Sequence, residues 1–244
     1  MVSESPSKQP EFLRLCNLIK QKCKDYRNLT VKVIGEDDLR AKCYDALVEY
    51  LEYFQSIMSL LLSSGQTRSK IKKLGPKALK QLLVSVLSVI EYSMRNIVDF
   101  YPNSTLYIKI SEWKSRGRKV YIKDVVNVSS NLGIIDEASR NNWVNVIDIR
   151  NLLVHNNAIC DLSSDKVVGG VRIRMVEGEP LEMKPKDIIR LIEIVINEFH
   201  KWNISMHNNY SSAYCCPYCN FKSMNRRALE IHIREKHPYK GGKK

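Results

Sequence analysis

The segment "PKDIIRLIEIVINEFHKW", Pro185–Trp202, sets Ile188, Leu191, Ile192, Val195, Ile196 and Phe199 three and four residues apart. That spacing lines one stripe of an α-helix; a strand cannot use it, because its alternate side chains face opposite ways. Such a stripe has to be covered by other helices. The chain supplies them. Glu11–Tyr26 carries Phe12, Leu13, Leu15, Cys16, Leu18 and Ile19 at helical spacings. Asp37–Leu62 opens on acids and is followed by a glycine, as the helix dipole and the C-terminal cap favour. A third helix is expected from Pro76, which suits a first turn, to Pro102. Residues 103–135 are expected to hold two shorter helices. From about Asp136 another follows, with Trp143, Val144, Val146, Ile147, Leu152, Leu153 and Val154 on its apolar side.

Three stretches read differently. "LTVKVIG", Leu29–Gly35, breaks the helical pattern and is expected to be a short strand. Val167–Met175 alternates and is β-branched, with the turn-like "EGEP" after it, and reads as a β-hairpin. The polar run "NISMHNNYSSA" has no period and reads as a linker. The expected fold is therefore mostly α: a helical bundle with a small β-hairpin. The body is placed at 1–208 with its core at about 37–202, the linker at 209–213, and a basic module at 214–244.

Several classes are disfavoured. No glycine-rich strand-to-helix turn is present, so neither a P-loop nor a dinucleotide-binding fingerprint is expected. The longest apolar stretch, Leu82–Ile90, is interrupted by serines and is far shorter than a bilayer span. No apolar signal region precedes the helices. The seven cysteines are odd in number and scattered, unlike a disulfide framework. Cys16, Cys23, Cys43 and Cys160 read as buried thiols in a reducing compartment, and the expected location is cytoplasmic.

The last cysteines are different. "YCCPYCNFKSMNRRALEIHIREKH" contains Cys216-x2-Cys219-x12-His232-x4-His237. Two thiols on a tight knuckle and two imidazoles near a helix end can converge on one tetrahedral ion, and zinc takes such ligands. So short a segment cannot fold on apolar burial alone, so metal affinity would be its folding energy. The stretch closely resembles the two-Cys two-His zinc finger, a ββα module with structural zinc. Cys215 could replace Cys216 by spacing, but Tyr214, two residues before Cys216, matches the family's aromatic position.

Net charge is +13 overall, which points to an anionic partner. From Tyr214 onward Lys222, Arg226, Arg227, Arg234, Lys236, Lys240, Lys243 and Lys244 face only Glu230 and Glu235, a net +6. Lys222, Arg226, Arg227, Arg234 and Lys236 are the candidate phosphate contacts. Numbering the finger helix so that His232 is seventh puts Asn225, Ala228 and Ile231 at the base-reading positions. Only Asn225 is a good reader, which argues against sequence-specific DNA recognition.

The remaining polar signal is "IRNLLVHNNA", Ile149–Ala158. A buried guanidinium needs an acid, an anion or water, so Arg150 must have a partner. Arg150 and His155 are five apart, about 140° around a helix. They can reach one phosphate only if the helix ends near His155 or a second copy contributes. The asparagines that follow suit a helix end. A histidine can move the proton of a ribose 2′-hydroxyl, and an arginine can offset charge on a phosphate. The other reading is an ordinary helix end.

"LGIIDEASRNNWVNVIDIRNLLVHNNA" resembles the HEPN superfamily, whose motif is an arginine, commonly an asparagine next, and a histidine five residues after the arginine. It maps onto Arg150, Asn151 and His155. The resemblance implies a helical dimer with facing motifs, metal-independent RNA cleavage and a 2′,3′-cyclic phosphate product. It also implies an acid supporting the arginine; Glu91 is the candidate, its alternative being an i,i+4 pair with Arg95. Expected partners are RNA or a ribonucleoprotein, a second copy of the chain and a regulatory protein, with no membrane. The expected function is a metal-independent RNA endonuclease whose finger holds the target. The alternatives are a nonenzymatic RNA- or ribosome-binding scaffold and, behind it, a DNA-binding regulator.

Overall fold

The computed structural model describes residues 11–34, 36, 38–63, 68–155, 158–210, 214–219, 221–223 and 226–238. These form α1 (Glu11–Ile34), α2 (Leu39–Ser63), α3 (Arg68–Asp99), α4 (Thr105–Ser115), α5 (Ile122–Asn131), α6 (Glu137–His155), β1 (Ser164–Val168), β2 (Val171–Met175), α7 (Pro185–Asn209), β3 (Tyr214–Cys215), β4 (Lys222–Ser223) and α8 (Arg226–Lys236). The fold is mostly helical. No helix among the described residues is long and apolar enough to cross a membrane.

Helices α1, α2, α3 and α7 pack in a ring, each against the next. The stripe of α7 fills its centre: Ile188, Leu191, Ile192, Ile196, Phe199 and Trp202 are fully buried. The Trp202 indole donates to Ser129 Oγ at 3.0 Å, which satisfies its N–H inside the core. Truncating such a side chain to alanine costs about 3–5 kcal/mol. Helix α6 lies outside the ring against α3 and α7; α5 packs on α3 and α6, and α4 on α3 and α5. Short polar residues start these helices. Asp38 accepts from the Arg40 N–H at 2.8 Å, Ser104 from the Tyr107 N–H at 3.0 Å, and Asp136 from the Ser139 N–H at 2.6 Å. Each satisfies a donor that the first turn leaves open.

Four local expectations are corrected. Leu29–Ile34 is not a strand but the last turns of α1. Thr30 is buried and donates to the Tyr26 carbonyl at 2.8 Å, and packing against α2 and α7 overrides the β-propensity of the run. Helix α3 begins at Arg68, so Pro76 lies inside it rather than at its start. The first seven residues of "NISMHNNYSSA" continue α7 to Asn209. Asn203 and Met206 are buried and extend the stripe of Phe199 and Trp202. Residues 211–213 of the expected linker lie outside the described residues.

The hairpin reverses at Gly169–Gly170 and not at "EGEP". Both glycines have positive φ, +52° and +83°, as a two-residue hairpin turn requires. A Cβ at Gly169 would also meet Ile194 Cδ1 at 2.6 Å. Asn142 accepts from the Gly169 N–H at 2.8 Å and Asn145 donates to the Val167 carbonyl at 2.9 Å, so α6 holds the hairpin tip. At the C-terminus β3 and β4 pair and pack on α8, and β4 lies against α1.

Candidate functional site

Helix α6 ends at His155. Beyond it the Ala158 N–H returns to the Leu152 carbonyl at 3.2 Å, and Ala158 takes φ +66°. Asn156 and Asn157, the expected left-handed residues, lie outside the described residues. The strand-like segment that follows is tied down: Leu181 N–H donates to the Ala158 carbonyl at 2.6 Å and Cys160 N–H to the Glu179 carbonyl at 2.9 Å. The helix end is therefore held from both sides.

Arg150 and His155 use different faces of α6. With Trp143 and Ile147, Arg150 faces Leu87 and Glu91 of α3 and Ile122 of α5, around a space of about 10 Å³. That is room for no more than about one water. Arg150 Nη2 lies 3.5 Å from Glu91 Oε2. Of the two partners open to Glu91, Arg150 is thus within ion-pair reach. Arg150 Nη1 donates to Asn151 Oδ1 at 3.0 Å, while Nε is buried without a hydrogen-bond partner.

The other face presents Asp148, Asn151, Leu152 and His155 to a groove of about 370 Å³. Asp161, Ser164 and Lys166 line its far side, so the hairpin is its wall. His155 is exposed. Asp148 bonds Lys123 Nζ at 3.0 Å and Lys166 Nζ at 2.9 Å. Burial raises the Asp148 pKa, but the hydrogen bonds from Lys166 and Lys123 outweigh it and hold the carboxyl below its ordinary value. Asn151 joins the two faces, lining the groove while accepting from Arg150.

Sequence reasoning did not single out Asp148, Ser164 or Lys166. For Asp148 a signal existed, since it lies seven residues before His155 and shares its face. For Ser164 and Lys166 none did, because only the docked hairpin brings them to α6.

The second candidate is the C-terminal cluster. Ligand atoms of Cys216, Cys219, His232 and His237 all lie within 4.8 Å of one another. Cys219 Sγ is 3.3 Å from His232 Nε2 and 3.4 Å from His237 Nε2. The knuckle aims amides at sulfur: Tyr218 N–H points to Cys216 Sγ at 3.5 Å and Phe221 N–H to Cys219 Sγ at 3.4 Å. Phe221 stacks on His232 with ring centroids 3.8 Å apart. Burial, then the neighbouring His237 and Lys236, lower the His232 pKa, which favours the neutral ring that metal binding needs. Two thiols and two imidazoles converging this closely can bind a metal ion.

Of the five candidate phosphate contacts, Arg227, Arg234 and Lys236 are exposed. The side chains of Lys222 and Arg226 lie outside the described residues, as does Asn225. Ala228, a base-reading position by spacing, is buried at 9% exposure.

Comparison of the chain with protein-family models, with curated proteins and with solved structures finds no match.

Proposed function

We propose that the chain is a metal-independent RNA endonuclease of the HEPN kind, active as a homodimer, with a zinc-bound finger that holds RNA or a ribonucleoprotein. The observation that carries this reading is the end of α6. A guanidinium held by Glu91 and Asn151 precedes an exposed histidine, and Asn151 also lines the open groove of that histidine. His155 would take the proton of a ribose 2′-hydroxyl. The 2′-oxygen then bonds to phosphorus as the bond to the 5′-oxygen breaks. The leaving oxygen takes a proton, and the products are a 2′,3′-cyclic phosphate and a 5′-hydroxyl. Arg150 would offset the charge that grows on the non-bridging oxygens. Because the two side chains leave α6 on separate faces, a second copy facing the first would help bring an arginine and a histidine to one phosphate.

In the finger, Cys216, Cys219, His232 and His237 would hold the ion tetrahedrally, and the ion would supply folding energy rather than chemistry. Arg227, Arg234 and Lys236 would contact phosphates, with Lys222 and Arg226 beside them in sequence.

A second reading is a nonenzymatic RNA- or ribosome-binding scaffold. It is favoured by the enclosure of Arg150 with Glu91, away from the groove of His155. One experiment separates them. Purified protein, Arg150→Ala and His155→Ala are incubated with structured and single-stranded RNA, and the ends are checked for cyclic phosphate. The nuclease reading expects cleavage by the wild type alone, and cleavage that survives a chelator. Cleavage persisting in both variants would remove the site assignment.

A further inference from the structure

A separate cavity of about 260 Å³ opens between the C-terminal parts of α1 and α7. It shares no lining residue with the groove of His155. Its outer lining includes Leu29, Val33 and Ile204, which are 51%, 50% and 47% exposed. Exposed apolar residues are unremarkable singly, but three around one opening mark a contact surface. Its inner lining is polar: Arg40 is 0% exposed and Asn203 4%, with the partly exposed His200 beside them.

The charges of this inner lining are already balanced. Arg40 bonds Asp38 Oδ1 at 3.0 Å and Oδ2 at 3.3 Å, and Tyr101 Oη at 3.0 Å. Asp38 is buried with it. His200 contacts Tyr44 Oη through Nδ1 at 3.0 Å and stacks on Tyr26 with centroids 3.6 Å apart. Burial pushes its pKa down to about 4, so the ring is neutral at pH 7. A charged ligand would lose much of its hydration here.

Asn203 keeps an unmet acceptor in this lining. Asn203 Nδ2 makes a long contact to Tyr44 Oη at 3.5 Å, and Asn203 Oδ1 is buried with no hydrogen-bond partner. An orphaned buried acceptor costs about 1–3 kcal/mol, which a bound donor would recover. The volume lies between the roughly 150 Å³ that holds a benzene and the roughly 300 Å³ where larger ligand pockets begin.

We propose that this cavity binds a small, uncharged, largely apolar molecule carrying an N–H or O–H group, which donates to Asn203 Oδ1. The assignment does not depend on the ribonuclease reading, since none of its residues belongs to the end of α6 or to the finger.

The test uses the full chain and two probes of matched size, indole and benzofuran; only indole has an N–H. Binding is followed by saturation-transfer NMR and calorimetry. One neutral hydrogen bond predicts that indole binds about tenfold tighter than benzofuran. Asn203→Leu should bring the two affinities together by weakening indole. Ile204→Trp, at a half-exposed position, should block both probes without loss of helix content. The Ile204 variant decides the matter should Asn203→Leu fail to fold. Equal affinity of the wild type for both probes, no binding of either at millimolar concentration, or undiminished binding to Ile204→Trp would each overturn the proposal.

Discussion

Replacing Glu91 with glutamine tests what holds Arg150. The change preserves shape and removes one charge. At 3.5 Å, with an effective dielectric of about 20, the gross attraction is about 5 kcal/mol. The net loss is smaller, because the side chains keep 23% and 19% of their exposure. Fully exposed pairs contribute up to about 1 kcal/mol, and breaking a buried pair costs about 3–5 kcal/mol. Asn151 stays on Nη1, so part of the guanidinium remains satisfied. The expected cost is about 2 kcal/mol, or about 4–8 °C in Tm for a chain of this size. Urea unfolding followed by near-ultraviolet dichroism reads it, since buried Trp143 lines the same space. A cycle with Arg150→Met should give a coupling of about 1–2 kcal/mol. Additivity to within about 0.5 kcal/mol would refute the argument, because it would mean that the two groups do not act on each other. On the proposed nuclease reading, saturating single-turnover cleavage gives the functional half. A fall of about tenfold identifies Glu91 as a positioning residue, whereas unchanged turnover with lowered stability makes it structural only.

Other perturbations follow from the same geometry. Chelation or Cys219→Ser should unfold the Cys/His module and abolish the binding of about one metal ion per chain that the proposed reading expects, while the helical body melts as before; calorimetry with metal analysis reads both. His200 has a folded pKa of about 4 against an ordinary 6.5, so the unfolded chain takes up the proton first. Its contribution is complete above pH 6.5 and is lost as pH falls toward 4. After allowance for its partial exposure this amounts to about 1–2 kcal/mol, and His200→Gln should flatten that part of the stability–pH curve. Gly169→Ala should destabilise by about 3 kcal/mol, from left-handed strain and collision with Ile194, and Gly170→Ala by about 1 kcal/mol, since a Cβ there meets nothing. Equal losses in denaturant titrations would contradict the turn geometry.

The helices were legible where an apolar stripe was long and regular. Pro185–Trp202 shows its period plainly, and the segment that became α2 was marked by its acidic start and the glycine after it. Two of the misread stretches share one cause. "LTVKVIG" has β-branched residues and "NISMHNN" is polar, so local propensity spoke against helix in both. Each continues a helix because one or two of its residues, Thr30 in α1 and Asn203 and Met206 in α7, find buried places. Propensities of a few tenths of a kcal/mol per residue yield to such burial.

The candidate sites divide in the same way. The four Cys and His residues are close in sequence, and a tetrahedral ion accepts few spacings, so the cluster is legible in the sequence. Arg150, Asn151 and His155 could likewise be picked out by type and spacing. What those residues face could not be. That Arg150 turns inward to Glu91, while His155 opens on a groove walled by Ser164 and Lys166, depends on how α3, α6 and the hairpin dock. The cavity lined by Asn203 likewise exists only because α1 and α7 meet. Chain-local spacing determines helix, knuckle and motif, because those interactions span a few residues. The partner of each polar group is decided by contacts between segments as far apart as Glu91 and Arg150, which no local pattern encodes.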